Sequence, residues 1–197
     1  MVDGSRHSLI AIGDGVLAQV EALGAALRAR RWRLATAESC TGGLLAGACT
    51  APAGASDWFA AGLVTYAYDA KQGLLGVPAA MLATHGAVSA EVAEAMARGA
   101  QARADVQAAV SITGIAGPGG GTPAKPVGTV WLGFAWTPAR QVEGKRERLP
   151  DGDGIPPIAS RTECLQLSGD RSAIRTQTVA IALQRLLVLA REGALSL

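Results

Sequence analysis

Residues 33–50 read RLATAESCTGGLLAGACT: a short run, six polar or small residues, then a small-residue apolar segment. Residues 33–37 are read as a strand, Glu38-Ser39-Cys40-Thr41-Gly42-Gly43 as a tight turn, and 44–50 as a helix that Pro52 and Gly54 end. A strand feeding a helix through so short a turn is the repeating unit of an α/β sheet.

Upstream, Val16, Leu17, Val20, Leu23 and Leu27 recur mostly at three- and four-residue steps, the stripe of an amphipathic helix over 16–31. Downstream, GLVTY at 62–66 is rich in β-branched and aromatic residues and reads as the next strand. Asp69 is the expected cap of a short helix closed by Gly76, Pro78 opens a second that ends at Gly86, and Ser89 caps a longer one running to about Arg103. Strands follow at 106–113 and 127–136, then an excursion at about 139–160 rich in charge, Gly and Pro. A last strand at 161–167 leads into a final helix, 172–190, with Ile174, Thr178, Ile181 and Leu186 facing inward. This order predicts a mixed sheet of about five to six strands covered by helices on both faces, an α/β fold without internal repeats.

With 197 residues, 49% of them hydrophobic and 17% charged, the chain reads as one domain, 1–197, able to bury a sizeable core; disorder and collagen-like or low-complexity architectures are excluded. Its few aromatics (Trp 4, Tyr 2, Phe 2) point to tightly packed small residues rather than an aromatic core. The net charge is only +2, and the basic clusters at 28–33 and at Lys145, Arg146 and Arg148 read as solvated surface, so no nucleic-acid partner is expected. No apolar run approaches the roughly 18 residues of a membrane span. The polar residues 1–7 lack a signal-peptide core, which points to the cytoplasm. Cys40, Cys49 and Cys164 are odd in number and show no CxxC spacing, so neither a disulfide framework nor a metal site is expected, nor any cofactor.

Three polar, glycine-bearing segments follow strands, where ligands bind in open α/β sheets: 38–43, 114–121 and 168–171. In the first, the N–H groups of Thr41, Gly42 and Gly43 at a helix start are candidates for holding a phosphate or an oxyanion. In the second, the run Gly114 to Gly121 fits neither GxxxxGK[ST] nor GxGxxG, which disfavours nucleoside-triphosphate and dinucleotide folds. Only His7 and His85 are available for a Ser-His-Asp triad: His7 sits in the polar N-terminus, and His85 lies at a helix end in a structural role. A nucleophilic Ser39 therefore needs a lysine base, and Lys71, in the first turn of a short helix after Tyr66, is the candidate. Cys40 is the rival nucleophile, without a histidine partner. Asp151-Gly152-Asp153-Gly154 reads as a turn.

Six ordered motifs make the chain recognisable: Ala37-Glu38-Ser39-Cys40-Thr41-Gly42-Gly43, Val64-Thr65-Tyr66 to Lys71, His85-Gly86-Ala87-Val88-Ser89, Ser111 to Pro118, Lys125-Pro126-Val127-Gly128-Thr129-Val130, and Ser168-Gly169-Asp170-Arg171. Over roughly residues 23–189 the chain resembles the CinA C-terminal domain family, which includes stand-alone nicotinamide-nucleotide amidases. The resemblance implies a three-layer α/β/α fold, often dimeric, and metal-free hydrolysis of the carboxamide of nicotinamide mononucleotide to nicotinate mononucleotide and ammonia. It places the family's catalytic serine, tyrosine and lysine on Ser39, Tyr66 and Lys71. Candidate donors to the nucleotide are Thr113, Gly114, Gly117, Gly120, Gly121, Lys125 and Arg171, beside Thr41, Gly42 and Gly43. The chain departs from the family at Ala67-Tyr68-Asp69-Ala70, where many members have Ser-Asn-Glu-Ala, and in its longer segment before the last strand. Two other readings stand beside the amidase: a non-catalytic nucleotide-binding or regulatory module, and an amidase for another small carboxamide.

Overall fold

The computed structural model describes residues 14–138 and 158–195. The expected excursion lies outside the described residues over 139–157, as do His7, the basic run at 145–148 and the turn at 151–154. The elements are α1 (Asp14–Arg30), β1 (Leu34–Glu38), α2 (Leu44–Cys49), a 3₁₀ turn (Ala55–Asp57), β2 (Phe59–Val64), α3 (Tyr68–Leu75), α4 (Ala79–His85), α5 (Ala90–Ala104), β3 (Ala108–Gly114), β4 (Thr129–Trp136), β5 (Ala159–Gln166) and α6 (Arg171–Glu192).

The five strands form one mixed sheet in the order β2-β1-β3-β4-β5. β1 pairs in parallel with β2 and β3, whereas β4 runs antiparallel to both β3 and β5. Glu38 stands opposite Val64 on one side and Ile112 on the other, so the three parallel strands end at one level. The C-terminal end of β5 reaches the same edge, because Gln166 pairs with Thr129 at the start of β4. All three glycine-bearing turns named from the sequence therefore open on one edge of the sheet.

Helices cover both faces, as expected. One core cluster joins Leu34, Val110, Ile112, Leu132 and Phe134 of the sheet to Val20, Leu23 and Leu27 of α1, Leu45 of α2, and Ile174, Leu183 and Leu186 of α6. The other joins Ala35, Ala37 and Ala109 to Leu75, Leu82, Val92, Met96 and Ala100. Aromatic residues matter more than their number suggests, since Trp32, Trp58, Phe134 and Trp136 all lie in the first cluster. Small residues do set the spacing between α5 and its neighbours: a Cβ on Gly133 would fall 2.3 Å from the Ala93 carbonyl oxygen, and one on Gly99 2.1 Å from that of Leu75.

Several boundaries differ from the sequence reading for local reasons. β2 spans Phe59–Val64 rather than 62–66, because its pairing with β1 begins at Leu34 opposite Phe59 and runs out at Glu38 opposite Val64. Thr65 and Tyr66 are thereby left beyond the sheet. α3 starts at Tyr68 with Ala67 as its cap, so Asp69 lies in the first turn instead of capping it. Ser89 does cap α5, accepting from the Val92 N–H at 3.4 Å. β5 begins at Ala159 and takes two residues from the expected excursion, held by charge on both faces: Glu94, Arg98 and Ser160 form one network, and Arg185 bonds Glu163 through both Nε and Nη2. By length and composition α6 could cross a membrane, with a mean hydropathy of 1.2 in its most apolar window, although Arg175 and Arg185 interrupt it; 44% of that window is buried inside the fold.

Candidate active site

The turn after β1 is built from two left-handed glycines and a buried acid. Gly42 and Gly43 have φ of +62° and +93°, a region where a Cβ is strained, and this accounts for the consecutive glycines. Glu38, wholly buried at the end of β1, accepts through Oε2 from the N–H groups of Gly43 and Leu45, each at 3.1 Å, and through Oε1 from that of Ala46 at 2.8 Å. The Gly42 N–H donates to the Ser39 carbonyl at 3.1 Å. The helix-start amides of Gly42 and Gly43, expected to face an anion, are thus engaged within the turn. The Cys40 N–H is not among the turn's main-chain hydrogen bonds.

Ser39 and Lys71 meet directly. The Lys71 side chain is fully buried, and its Nζ lies 3.0 Å from Ser39 Oγ, 2.6 Å from the Thr65 carbonyl and 3.2 Å from the Tyr66 carbonyl. Burial lowers its pKa from an ordinary 10.5 to about 8, against a smaller opposing effect from Cys40. As an ammonium, Nζ donates to the two carbonyls and to Ser39 Oγ; as a neutral amine it has two N–H donors, which the carbonyls can take, and one lone pair, which can accept from the Ser39 hydroxyl. Cys40 sits beside them, but burial pushes its thiol up to about 11, which keeps it protonated and non-nucleophilic near neutrality.

These groups line a cleft of about 270 Å³ together with the end of β3, the loop after it and the start of α6. Of the residues named from the sequence, Ser39, Tyr66, Lys71, Thr113, Gly114, Gly117, Gly120 and Arg171 line it. Thr41, Gly42, Gly43, Gly121 and Lys125 do not. Lys125 instead donates to the carbonyls of His85 (2.9 Å) and Val88 (2.7 Å), tying the glycine loop to the turn before α5. Thr113 donates to the Ala87 carbonyl at 2.8 Å, fastening the same turn to β3. Tyr66, 62% exposed, lines the cleft, and its hydroxyl accepts from Arg171 Nη2 at 3.2 Å rather than bonding Ser39 or Lys71. Arg171 also donates through Nη1 to the Gly117 carbonyl at 2.8 Å, so the guanidinium rests on two neutral acceptors.

Sequence reasoning missed the apolar wall, Ala87, Val88, Ile115 and Ala116, because such residues carry no signal of their own until the fold turns them toward a cleft. Among the described residues, no three His, Cys, Asp or Glu side chains gather into a metal-binding set.

The model of the CinA C-terminal domain matches residues 17–151. The chain belongs to the CinA C-terminal domain family. Among curated relatives of this CinA domain, a protein of Pseudomonas putida named nicotinamide-nucleotide amidohydrolase PncC is 46% identical over 179 residues, 91% of this chain and 99% of that one. Its namesake in Escherichia coli K12 is 49% identical over 174 residues, 88% of this chain and 94% of that one. Among solved structures, the competence/damage inducible protein CihA of Agrobacterium tumefaciens superposes on the CinA domain with a TM-score of 0.76 at 37% identity, covering 90% of this chain and 96% of that one.

Proposed function

We propose that the protein is a nicotinamide-nucleotide amidohydrolase, releasing ammonia from the carboxamide of nicotinamide mononucleotide and leaving nicotinate mononucleotide. The observation that carries the reading is the fully buried Lys71 Nζ, 3.0 Å from Ser39 Oγ with its N–H groups directed at two carbonyls. The names of the relatives supply the substrate.

In this reading Lys71 takes the Ser39 proton as Oγ bonds to the carboxamide carbon. The carbon–nitrogen bond then breaks, the Lys71 proton leaves with the nitrogen as ammonia, and an ester on Ser39 remains. Water hydrolyses that ester, with Lys71 again as base, returning the Ser39 hydroxyl and the product carboxylate. The Cys40 N–H is the donor for the oxyanion, in place of the occupied Gly42 and Gly43 amides. Arg171, resting on Tyr66 and Gly117, is the donor for the nucleotide phosphate, and Tyr66 serves the site by holding it there. The proposal includes the cytoplasm as the place of action and a homodimer as the assembly, which a sedimentation mass of two chains would support.

The test is ammonia release from nicotinamide mononucleotide by the purified protein without added metal, beside Ser39→Ala and Cys40→Ser. Loss confined to Ser39→Ala supports the serine amidase. Tight mononucleotide binding without turnover by the wild type would sink it and leave a binding module, and turnover of free nicotinamide in preference to the mononucleotide would reassign the substrate.

A further inference from the structure

The 39–43 turn is held from two sides by groups that do not line the cleft. From the sheet side, Glu38 places a carboxylate with no solvent exposure against three N–H groups at the start of α2. From the helical side, Arg175, one turn into α6, donates through Nη2 to the Thr41 carbonyl at 2.8 Å. The guanidinium lies so close over the turn that a Cβ on Gly42 would come within 3.5 Å of it. α2 has only six residues, and its cap Gly43 offers no side-chain oxygen, so Glu38 provides what the helix lacks.

Glu38 also connects both partners of the buried pair. It directly precedes Ser39, and its main-chain carbonyl accepts from the Thr65 N–H at 2.8 Å. Thr65 in turn presents the carbonyl that holds Lys71 Nζ at 2.6 Å. A shift of the turn relative to β2 would therefore change the Ser39–Lys71 distance.

We infer that Glu38 and Arg175 are positioning residues, a buried anion and a cation that clamp the 39–43 turn and thereby keep the Ser39 hydroxyl on Lys71. The inference rests on the serine–lysine reading proposed above. It extends the site to two residues that touch neither the cleft nor the reacting atoms. A clamp of this kind acts on the chemical step more than on binding, because the walls that would hold the nucleotide belong to other segments.

The test compares Glu38→Gln and Arg175→Met with Ser39→Ala and with Leu27→Ala, a core variant in α1 that weakens the fold away from the cleft. Steady-state ammonia release from nicotinamide mononucleotide is measured at a temperature where circular dichroism shows each variant folded. The clamp predicts that Glu38→Gln and Arg175→Met lower kcat by about 10- to 100-fold with KM held within about twofold, as a misplacement of less than an ångström would. Leu27→Ala should keep its kcat. Unchanged kcat in folded Glu38→Gln and Arg175→Met, with only the melting temperature lowered, overturns the inference and makes Glu38 a helix cap alone. If Glu38→Gln does not fold, Arg175→Met decides by the same criterion. Full turnover by Ser39→Ala would instead overturn the serine–lysine reading, an outcome distinct from a dead Ser39→Ala beside fully active clamp variants.

Discussion

Lys71 is a charged residue type with no solvent exposure, and its surroundings say which form the fold prefers. Its pKa falls from 10.5 to about 8, so the fraction of neutral base grows as pH rises. kcat/KM for the mononucleotide should climb through a midpoint near 8, and a flat profile from pH 6 to 9 would contradict Lys71 as base. Stability carries the same sign. Between about 8 and 10.5 the unfolded chain holds a proton that the folded chain has released, so stability gains with rising pH in that window. The Cys40 thiol, raised by burial from 9.0, acts in the opposite direction above pH 9. The difference between wild type and Lys71→Met isolates the lysine: denaturant melts should show it growing from pH 7 to 9. Ser39 and Lys71 were legible in the sequence as a pair, since no histidine was there to serve the serine, whereas the geometry of their 3.0 Å contact was not.

At the scale of single elements, the turn after β1 and the loop after β3 share a design in which main-chain groups are consumed by the fold. Gly42→Ala places a Cβ at φ +62° and should cost about 1–2 kcal/mol in denaturant melts, the penalty of the left-handed region. Lys125 separates the sequence expectation from the structure. As a phosphate ligand it would govern KM; as a tie on the His85 and Val88 carbonyls it governs stability. Lys125→Met should lower stability by about 1–3 kcal/mol through two lost charge-assisted bonds, while raising KM less than Arg171→Ala does. The strand, turn and helix order of 33–50 was readable because its residue types change abruptly from one segment to the next. The engagement of the Gly43 amide was not, because its acceptor is the side chain of Glu38, a residue the sequence reading assigned to the turn and the structure places at the end of the strand.

Across the whole molecule, α6 links the site to the core. Arg171 reaches the cleft mouth, Arg175 the turn, and Ile174, Leu183 and Leu186 the cluster shared with α1 and the sheet. Leu186→Ala, at a side chain 1% exposed, should cost about 2–5 kcal/mol in thermal or denaturant unfolding, which would mark α6 as a core helix despite its membrane-like hydropathy. The sequence by itself determined the α/β class with about five to six strands, the strands and helices of the described residues to within a few positions, and Ser39 and Lys71 as candidates, since periodicity, turn residues and the absence of a usable histidine are local or compositional facts. Only the tertiary structure decided that the Gly42 and Gly43 amides are engaged, that Lys125 is a tie, that Tyr66 bonds Arg171, and that Glu38 and Arg175 meet the same turn. The physical reason is that a hydrogen bond is chosen among all donors and acceptors brought within about 3 Å, and that set exists only once distant segments have packed.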